Sequence, residues 1–199
     1  MTIKERTGYH ISDQFATYFV TFTTVGWIDL FTRKECQDII ISSLKYCQSE
    51  KGLTIHAYVI MSSHLHLIVT ANPDSDGLSN IIRDFKGYTS KQLITWTLQS
   101  QKESRRDWLE VVYEYHAKYN SNNKHFQVWK QDNHPMVCLH PRFTRQKLDY
   151  LHLNPVVAGL VVNPEDFRLS SARNYAGLNN TILPVSIIDF GIEEGYVMT

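Results

Sequence analysis

Hydrophobic and polar side chains alternate along Tyr18–Thr23, where aromatic and aliphatic residues are interleaved with threonine. This period of two, together with the many β-forming residues, predicts a first β-strand. From Cys36 to Cys47 the apolar positions recur every three or four residues, which is the period of one helical face. Thr32 and Glu35 match a capping box and predict where that helix begins.

Two short β-rich runs follow, at residues 53–61 and 64–70, and only Ser62 and Ser63 separate them. Such close spacing predicts a hairpin. After a polar loop, apolar residues at helical spacing over residues 78–96 predict a second amphipathic helix. The order strand, helix, hairpin, helix is the first two-thirds of a split βαβ pattern, and it predicts an α+β fold.

A fourth strand would complete this pattern, and the sequence offers two alternatives for it, residues 126–130 and residues 136–139. Either would be reached through a helix predicted over residues 107–118 and a polar loop over residues 120–124. The choice between the two stays open at the level of sequence.

The helical period returns at Phe143 and is expected to end before Pro155. The proline ring removes a backbone donor and disfavours the helical conformation at Asn154. We assign residues 1–178 to one domain and residues 179–199 to a C-terminal extension, with a terminal strand expected near residues 185–190.

Composition is that of an ordinary globular protein, since 43% of the 199 residues are hydrophobic. Twenty Lys and Arg balance twenty Asp and Glu, so any basic surface for nucleic acid must be local. Cys36, Cys47 and Cys138 lack CxxC spacing, which indicates free thiols in a reducing compartment. No signal-peptide pattern or uninterrupted apolar span is present, so we expect a cytoplasmic protein without a membrane partner.

His64 and His66 form the first candidate functional pair. They are one residue apart on a predicted strand, so both imidazoles project from the same face, about 7 Å apart at the backbone. Two nitrogen ligands at this spacing can converge on one divalent metal. Leu65 points the other way, so the alternation predicts a wet face with the histidines and a dry face toward the core. Two solvated histidines on an exposed strand explain the pattern equally well.

A second candidate cluster lies at the end of the last predicted helix. Residues four apart share a helix face, so the hydroxyl of Tyr150 and the amide of Asn154 can approach one metal, the first as nucleophile and the second as ligand. Alternatively, Tyr150 is a half-buried core aromatic and Asn154 satisfies carbonyls at the helix end. For His134 and His152 we expect structural hydrogen bonds rather than metal ligation.

The residues around both clusters resemble those of single-tyrosine HUH transposases. The run Tyr58-Val-Ile-Met-Ser-Ser-His64-Leu-His66-Leu-Ile-Val is similar to the His-hydrophobic-His strand of that family. Three runs that begin at Tyr150, Pro164 and Ser170 resemble the C-terminal block of the family's REP-associated tyrosine transposase branch, which is IS200-like. With the intervening Trp129-Lys-Gln-Asp-Asn-His134-Pro, the resemblance extends from about residue 15 to residue 178. The later runs are Tyr150-Leu-His-Leu-Asn154-Pro-Val-Val-Ala-Gly-Leu-Val, Pro164-Glu-Asp-Phe and Ser170-Ser-Ala-Arg173-Asn-Tyr.

The resemblance implies a ferredoxin-like split βαβ core with an antiparallel sheet and a C-terminal helical extension. It also implies Mg²⁺ or Mn²⁺ held by His64 and His66, with Tyr150 as nucleophile and a third metal ligand four residues later. In the smallest relatives that ligand is glutamine, whereas this chain has the shorter amide of Asn154. The implied activity is DNA transposition by nicking and strand transfer of single-stranded or hairpin DNA through a 5′-phosphotyrosine.

Basic residues in three places are candidates for contacts with DNA phosphates, although such charges are also typical of solvated helix faces. One set lies on the second predicted helix, one precedes the tyrosine, and one residue belongs to the Ser-Ser-Ala-Arg block. They are Arg83, Lys86 and Lys91, then Arg142, Arg145 and Lys147, and finally Arg173.

Two other functions compete with this interpretation. A domesticated, non-catalytic hairpin or single-stranded DNA-binding protein of the same fold would fit the near-zero net charge and the Asn154 substitution. A metallohydrolase that uses bound water would need an acidic general base, but no Glu or Asp accompanies the histidines in the H-E-x-x-H manner. The sequence leaves both a monomer and a homodimer open.

Overall fold

An antiparallel sheet forms the centre of the structure, a computed structural model that describes residues 10–120 and 125–190. In this part of the chain the sheet has four strands, in the order β2-β3-β1-β4. The strands are β1 (Tyr18–Thr23), β2 (Leu53–Ile60), β3 (His64–Ala71) and β4 (Met136–Val137). The helices are α1 (Lys34–Glu50), α2 (Leu78–Gln99), α3 (Arg106–Lys118), α4 (Pro141–Val157) and the short α5 (Ala172–Tyr175).

The connectivity of these elements confirms the predicted α+β, split βαβ architecture. β1 and β2 both pair antiparallel with β3, which lies between them, and β4 adds to the free side of β1. β1 and β2 are therefore parallel to each other and are connected through α1, while α2 and α3 precede β4. The predicted bounds of β1 are those observed, and the hairpin of β2 and β3 differs from prediction by one residue at two of its ends.

The two faces of the sheet are covered by different helices. α1 and α2 contribute to the larger hydrophobic core together with alternate residues of β1, such as Val20 and Phe22. On the other face, Leu148 and Leu151 of α4 pack in a smaller cluster that includes Phe19 of β1. Alternation along the strands thus separates the larger core on one face from the smaller cluster on the face that α4 covers.

A C-terminal segment covers the outer edge of β2, which would otherwise be an open strand. The amide of Ile60 donates to the carbonyl of residue 169, and the Ser171 amide donates to the Tyr58 carbonyl, each at 2.9 Å. Further along, the Ser186 amide donates to the Ile55 carbonyl, also at 2.9 Å. Leu183, from the predicted C-terminal extension, is fully buried in the larger core.

Two local predictions are wrong at the start of α1 and in α4. α1 begins at Lys34 rather than after a Thr32 cap, because the Thr32 hydroxyl donates to the carbonyl of Asp29 within a preceding 3₁₀ turn. α4 continues past Pro155 to Val157. A proline so close to the helix end costs a single intrahelical hydrogen bond, and Pro155 is buried.

Of the two alternatives for the fourth strand, the second is observed, as residues 136–137. The first, residues 126–130, contributes an isolated bridge between Trp129 and Thr24. Residues 185–190 form no strand, although their backbone lies beside β2, because only one of their amides bonds to it. Most of the predicted loop at 120–124 lies outside the described residues.

Other expectations from composition concern cysteines and membranes. All three cysteines are free thiols, and Cys36 and Cys47 are buried in the core. Within the described ranges, no helix is long and apolar enough to cross a bilayer. The assignment of residues 1–178 and 179–199 to a domain and an extension, and the cytoplasmic location, stay predictions.

Candidate active site

Pairing of β1 with β3 sets two threonines opposite the two candidate histidines. Thr21 pairs with His66 and Thr23 pairs with His64 in the antiparallel register. Because paired residues point to the same side of a sheet, all four side chains lie on the face that meets α4. The histidine pair and the two threonines are therefore carried by the central strands of the sheet.

His66 is held by hydrogen bonding on one side and is bare on the other. Its Nδ1 lies 2.8 Å from the Thr21 hydroxyl oxygen, and its ring stacks on Phe19 with centroids 5.3 Å apart. The opposite ring nitrogen, Nε2, is buried, and within the described residues no group hydrogen-bonds to it. A buried nitrogen without a partner is costly unless it is reserved for a ligand.

The environment of His66 also fixes its charge. Burial, followed by the nearby charges of His64 and Lys147, lowers the pKa of His66 to about 3. The imidazole is therefore neutral near pH 7 and keeps a lone pair for a metal ion. The predicted wet face is wrong here, because α4 covers this side of the sheet and leaves His66 only 5% exposed.

His64 lies beside His66 at the start of β3. The two ring centroids are 4.9 Å apart and the planes are inclined by 73°. Nδ1 of His64 is 3.3 Å from the Ser63 hydroxyl oxygen, and burial lowers the pKa of His64. Both histidines thus favour the neutral form that binds divalent metals.

Tyr150 is brought to this pair by α4. Its ring meets the His66 ring edge-to-face at a centroid separation of 5.3 Å and also approaches Phe19 at 6.1 Å. The residue is 50% exposed, so its hydroxyl-bearing ring is anchored on one side and accessible on the other. Lys147, one turn earlier, has its ammonium 5.3 Å from the Phe19 ring centroid and 5.9 Å from that of Tyr150.

A cleft of about 350 Å³ opens beside Tyr150 and His66. Lys130 and Lys147 line it together with Asp132 and Trp27. The Asp132 carboxylate accepts a hydrogen bond from the His134 backbone amide at 2.8 Å and lies 3.5 Å from the His134 ring nitrogen. His134 itself lines the cleft, and the structural role expected for its ring stays a prediction.

Asn154 lies one turn beyond Tyr150 on α4 and is partly buried. Neither Asn154 nor His64 lines the cleft that holds Tyr150. Within the described ranges, no group of three or more His, Cys, Asp and Glu side chains forms a metal cage. The candidate metal ligands are therefore two neutral imidazoles, and the amide of Asn154 is the remaining predicted ligand.

His152 lies outside this site. Its Nε2 lies 2.9 Å from the Ser171 hydroxyl oxygen, and its ring contacts Tyr175. Burial lowers the pKa of His152 to about 4. The residue joins α4 to the segment that covers β2, which agrees with the expected structural role.

The predicted DNA-contacting residues on α2 differ in their surroundings. Arg83 is exposed and bonds to Asn80 and Asp84 on its own helix, and Lys91 is exposed as well. Lys86 is largely enclosed, and its ammonium donates to the carbonyl of Lys130 and to other oxygens of residues 131–133. Burial lowers the pKa of Lys86 to about 8.

The remaining predicted contacts lie in and after α4, on the opposite face of the sheet from α2. Arg142 is exposed in the first turn of α4. The Arg145 guanidinium lies 4.4 Å from the ring centroid of Phe190. Arg173 donates to the carbonyl of Glu165 at 2.9 Å, so part of its guanidinium supports the chain after α4.

Sequence reasoning missed Thr21, Trp27 and Lys130 at this site. Alternation along β1 places Thr21 on the same face as Phe19, but the register that sets it against His66 is not visible in the sequence. Trp27 follows Gly26 in a turn where both residues have positive φ, of 55° and 60°. In the sequence, the only indication of this turn is a glycine directly before a tryptophan.

Comparison with known proteins gives a family and a similar fold. A family model described as "Transposase IS200 like" matches residues 16–131, which include β1, β3 and both histidines but end before α4. No curated protein matches the chain. A solved structure of a REP-associated tyrosine transposase bound to a REP hairpin is similar, with a TM-score of 0.56 and 18% identity over 96% of each chain. At that identity the likeness shows the fold.

Proposed function

The chain belongs to the IS200-like transposase family, and we propose that it nicks and rejoins single-stranded or hairpin DNA with Tyr150 as its nucleophile. The observation that carries this proposal is the contact between the half-exposed Tyr150 ring and the His66 ring, whose Nε2 is bare. Tyr18, Tyr58 and Tyr113 are buried and unsuited to attack DNA.

The proposed reaction is a transesterification. The Tyr150 oxygen attacks the scissile phosphorus, a new O–P bond forms, and the bond from phosphorus to the 3′ oxygen breaks. The phenol loses its proton, and the departing 3′ oxygen gains one to become a free 3′-hydroxyl. The 5′-phosphate stays esterified to Tyr150, so attack by a 3′-hydroxyl on this adduct reverses the step and rejoins DNA without ATP.

Lys147 is suited to assist this reaction through its charge. Its ammonium lies near the rings of Phe19 and Tyr150, on the helix that carries the nucleophile. A positive charge there attracts the phosphate diester and can neutralise charge that develops on it. We therefore place Lys147 beside the reacting phosphate in the proposed complex.

The chain's donors fit the Mg²⁺ or Mn²⁺ expected from the sequence. His66 would offer Nε2 because Thr21 occupies Nδ1, and His64 would offer a second neutral imidazole. Asn154 is the candidate third ligand. When bound, the ion would neutralise charge that develops on the scissile phosphate. Isothermal calorimetry with Mn²⁺ should give measurable affinity that the His64→Ala, His66→Ala double variant loses while its far-ultraviolet spectrum persists.

The proposed DNA contacts are Arg142 and Arg145 on α4, which carries Tyr150, Arg173 after α4, and Arg83 and Lys86 on α2 at the other face of the sheet. Arg142 and Arg83 are the best exposed of these, whereas Lys86 and Arg173 already bond to carbonyl oxygens of the chain. Because Tyr150 and His66 of one chain are already in contact, this geometry supports an active site assembled within a single chain, with a homodimer not required.

The direct test is to incubate the protein with single-stranded hairpin DNA and Mn²⁺, denature it, and look for a covalent protein–DNA adduct. We expect an adduct that resists detergent, with the DNA label on the peptide that contains Tyr150. Absence of an adduct in the presence of tight DNA binding would overturn the catalytic proposal.

That outcome would favour the second candidate, a non-catalytic hairpin or single-stranded DNA-binding protein. One observation favours it: neither His64 nor Asn154 lines the cleft beside Tyr150. A chain that binds hairpin DNA as tightly with a metal chelator as with Mn²⁺, and forms no adduct, would fit this alternative.

A further inference from the structure

Trp27 has an unusual backbone conformation next to the candidate site. Its φ is 55°, in the left-handed region that bulky residues rarely adopt, and Gly26 before it has a φ of 60°. The indole is 58% exposed although it is among the most hydrophobic side chains of the protein. Neither the backbone strain at Trp27 nor the exposure of its indole stabilises the fold, and such strain is typical of functional sites.

The turn that presents Trp27 is firmly held. Val25 donates its amide to the carbonyl of Val128 at 2.7 Å, and the buried Thr24 hydroxyl lies within 2.9 Å of the carbonyl oxygens of Ile28 and Ser63. Ser63 immediately precedes His64. The same hydrogen bonds therefore fix the position of Trp27 relative to the histidine pair.

The surroundings of the indole are those of a nucleotide-binding surface. The Lys130 ammonium lies 4.5 Å from the Trp27 ring centroid, and the His64 ring meets the indole edge-to-face at 5.6 Å. Trp27 and Lys130 line the same cleft as Tyr150 and Lys147. An exposed aromatic ring in a cleft lined by two lysines combines a stacking platform with charges that attract phosphate.

Trp129 and Trp108 do not share this arrangement. Trp129 is buried in the core, where its ring nitrogen donates to the hydroxyl of Thr89. Trp108 is 52% exposed, similar to Trp27, but it lies on α3 and does not line the cleft. Trp108 is therefore a matched control for the effect of removing an exposed indole.

We propose that Trp27 and Lys130 form a nucleotide subsite in which an unpaired base stacks on the indole and displaces the Lys130 ammonium that lies over the ring, so that the ammonium neutralises an adjacent phosphate. The proposal rests on the proposed function, because it places this nucleotide in the cleft that contains the scissile phosphate at Tyr150. Asp132 is the acidic group of this cleft, and its carboxylate is engaged by His134.

The subsite selects single-stranded DNA. A base inside a duplex is already stacked on both sides and paired at its edge, so it cannot lie flat on a protein ring unless it is extruded. A base in a single-stranded tail offers a free face at little cost. Trp27 would thus hold the strand next to a hairpin in register with the nucleophile.

The test measures DNA binding without chemistry, in a Tyr150→Phe background, by fluorescence anisotropy of a labelled hairpin with a single-stranded tail. Trp27→Ala should weaken binding by roughly 5- to 150-fold, the range for loss of one base–aromatic stack. Trp27→Phe should lose less, and Trp108→Ala should bind like the parent. Lys130→Met should remove about one phosphate contact. The slope of log affinity against log salt concentration should therefore become shallower by about 0.7, the value for one contact with a single strand.

A folding defect can be separated from loss of the subsite. Trp27→Gly removes the indole but accepts a positive φ without strain, so it should melt no lower than Trp27→Ala and bind as weakly. Parental affinity for the tailed hairpin in Trp27→Ala and Trp27→Gly would overturn the inference. So would an equal loss of affinity for blunt duplex, since that would indicate a general contact.

Failure of this inference and failure of the proposed function are distinguishable. If the otherwise unaltered chain forms the Tyr150 adduct while Trp27→Ala binds DNA normally in the Tyr150→Phe background, only the subsite is wrong. If Trp27→Ala weakens binding to the tailed hairpin but no variant ever forms an adduct, the subsite stands and the catalytic proposal fails.

Discussion

The rings of Tyr150 and His66 meet edge-to-face, with centroids 5.3 Å apart and planes inclined by 69°. One residue comes from α4 and the other from β3, so docking of a helix on the sheet assembles the candidate site. The contact involves the tyrosine ring rather than its hydroxyl, so ring packing and nucleophilicity can be separated experimentally.

We predict that Tyr150→Phe abolishes the covalent DNA adduct while leaving DNA affinity unchanged. The substitution removes one oxygen and keeps the ring against His66, so the free energy of unfolding should change by less than about 0.5 kcal/mol. Adduct yield on denaturing gels and urea unfolding check both parts. Tyr115→Phe, on an exposed face of α3, is the control; an adduct that survives in the Tyr150 variant would assign the nucleophile elsewhere.

A second prediction concerns the hydrogen bond between Thr21 and Nδ1 of His66. Thr21→Val keeps the side-chain shape but removes the hydroxyl that orients the imidazole. Loss of such an orienting contact typically costs about 10- to 100-fold in metal affinity. Calorimetric titration with Mn²⁺ should show that loss, and Thr21→Ser should restore much of the affinity. Equal Mn²⁺ affinity in the valine variant would mean that His66 needs no partner at Nδ1.

Lys86 is predicted to stabilise the fold more than it contributes to DNA affinity. Its ammonium bonds to oxygens of residues 130–133, so Lys86→Met would leave those acceptors without a donor and lower the free energy of unfolding by about 1–3 kcal/mol. Arg83→Met, one turn earlier and exposed, should cost less than about 0.5 kcal/mol. Urea unfolding distinguishes the two. A Lys86 variant of normal stability but weak DNA affinity would instead support the direct phosphate contact.

The fourth prediction is a loss of stability on mild acidification. The pKa of His152 falls from an ordinary 6.5 to about 4 in the fold because the ring is buried. Between these values the unfolded chain binds a proton that the folded chain does not, so stability falls as the pH drops below about 6.5. The limiting slope is about 1.4 kcal/mol per pH unit for one such group.

His66 adds a similar contribution, since its pKa is about 3. Urea unfolding in a metal chelator between about pH 7 and about pH 5 measures the combined slope. His152→Gln should reduce the slope of unfolding free energy against pH by the contribution of one proton, at most about 1.4 kcal/mol per pH unit. A slope that is the same in parent and variant would show that His152 titrates normally in the folded protein.

The local sequence pattern was sufficient to predict β1 from its alternation, the hairpin from two closely spaced β-rich runs, and α2 from its helical period. It could not choose between residues 126–130 and 136–139 as the fourth strand, since both are short and β-rich and only long-range pairing with β1 decides. The prediction that the helix ends before Pro155 was wrong because a proline so close to the helix end removes only one intrahelical hydrogen bond, and α4 continues to Val157.

At the site, the sequence predicted that His64, His66 and Tyr150 form one cluster, and the structure places His66 in ring contact with each of the other two. Their catalytic and metal-binding roles stay predictions. The contribution of Lys130 could not be predicted, because its position beside Trp27 depends on long-range backbone pairing, such as the hydrogen bond from the Lys130 amide to the Thr23 carbonyl. A pairing between residues so far apart leaves no periodic signal.

The coverage of β2 has a consequence for how the protein behaves in concentrated solution. An uncovered strand of eight mostly buried residues would be a template for a strand from another molecule, and sheets that grow in this way aggregate. The backbone bonds made by residues 169, 171 and 186 occupy that template within the same chain. A chain cut just after α4 would keep His64, His66 and Tyr150, yet its sheet would be free to polymerise. The segment after α4 therefore shields this edge of the sheet from pairing with a strand of another molecule.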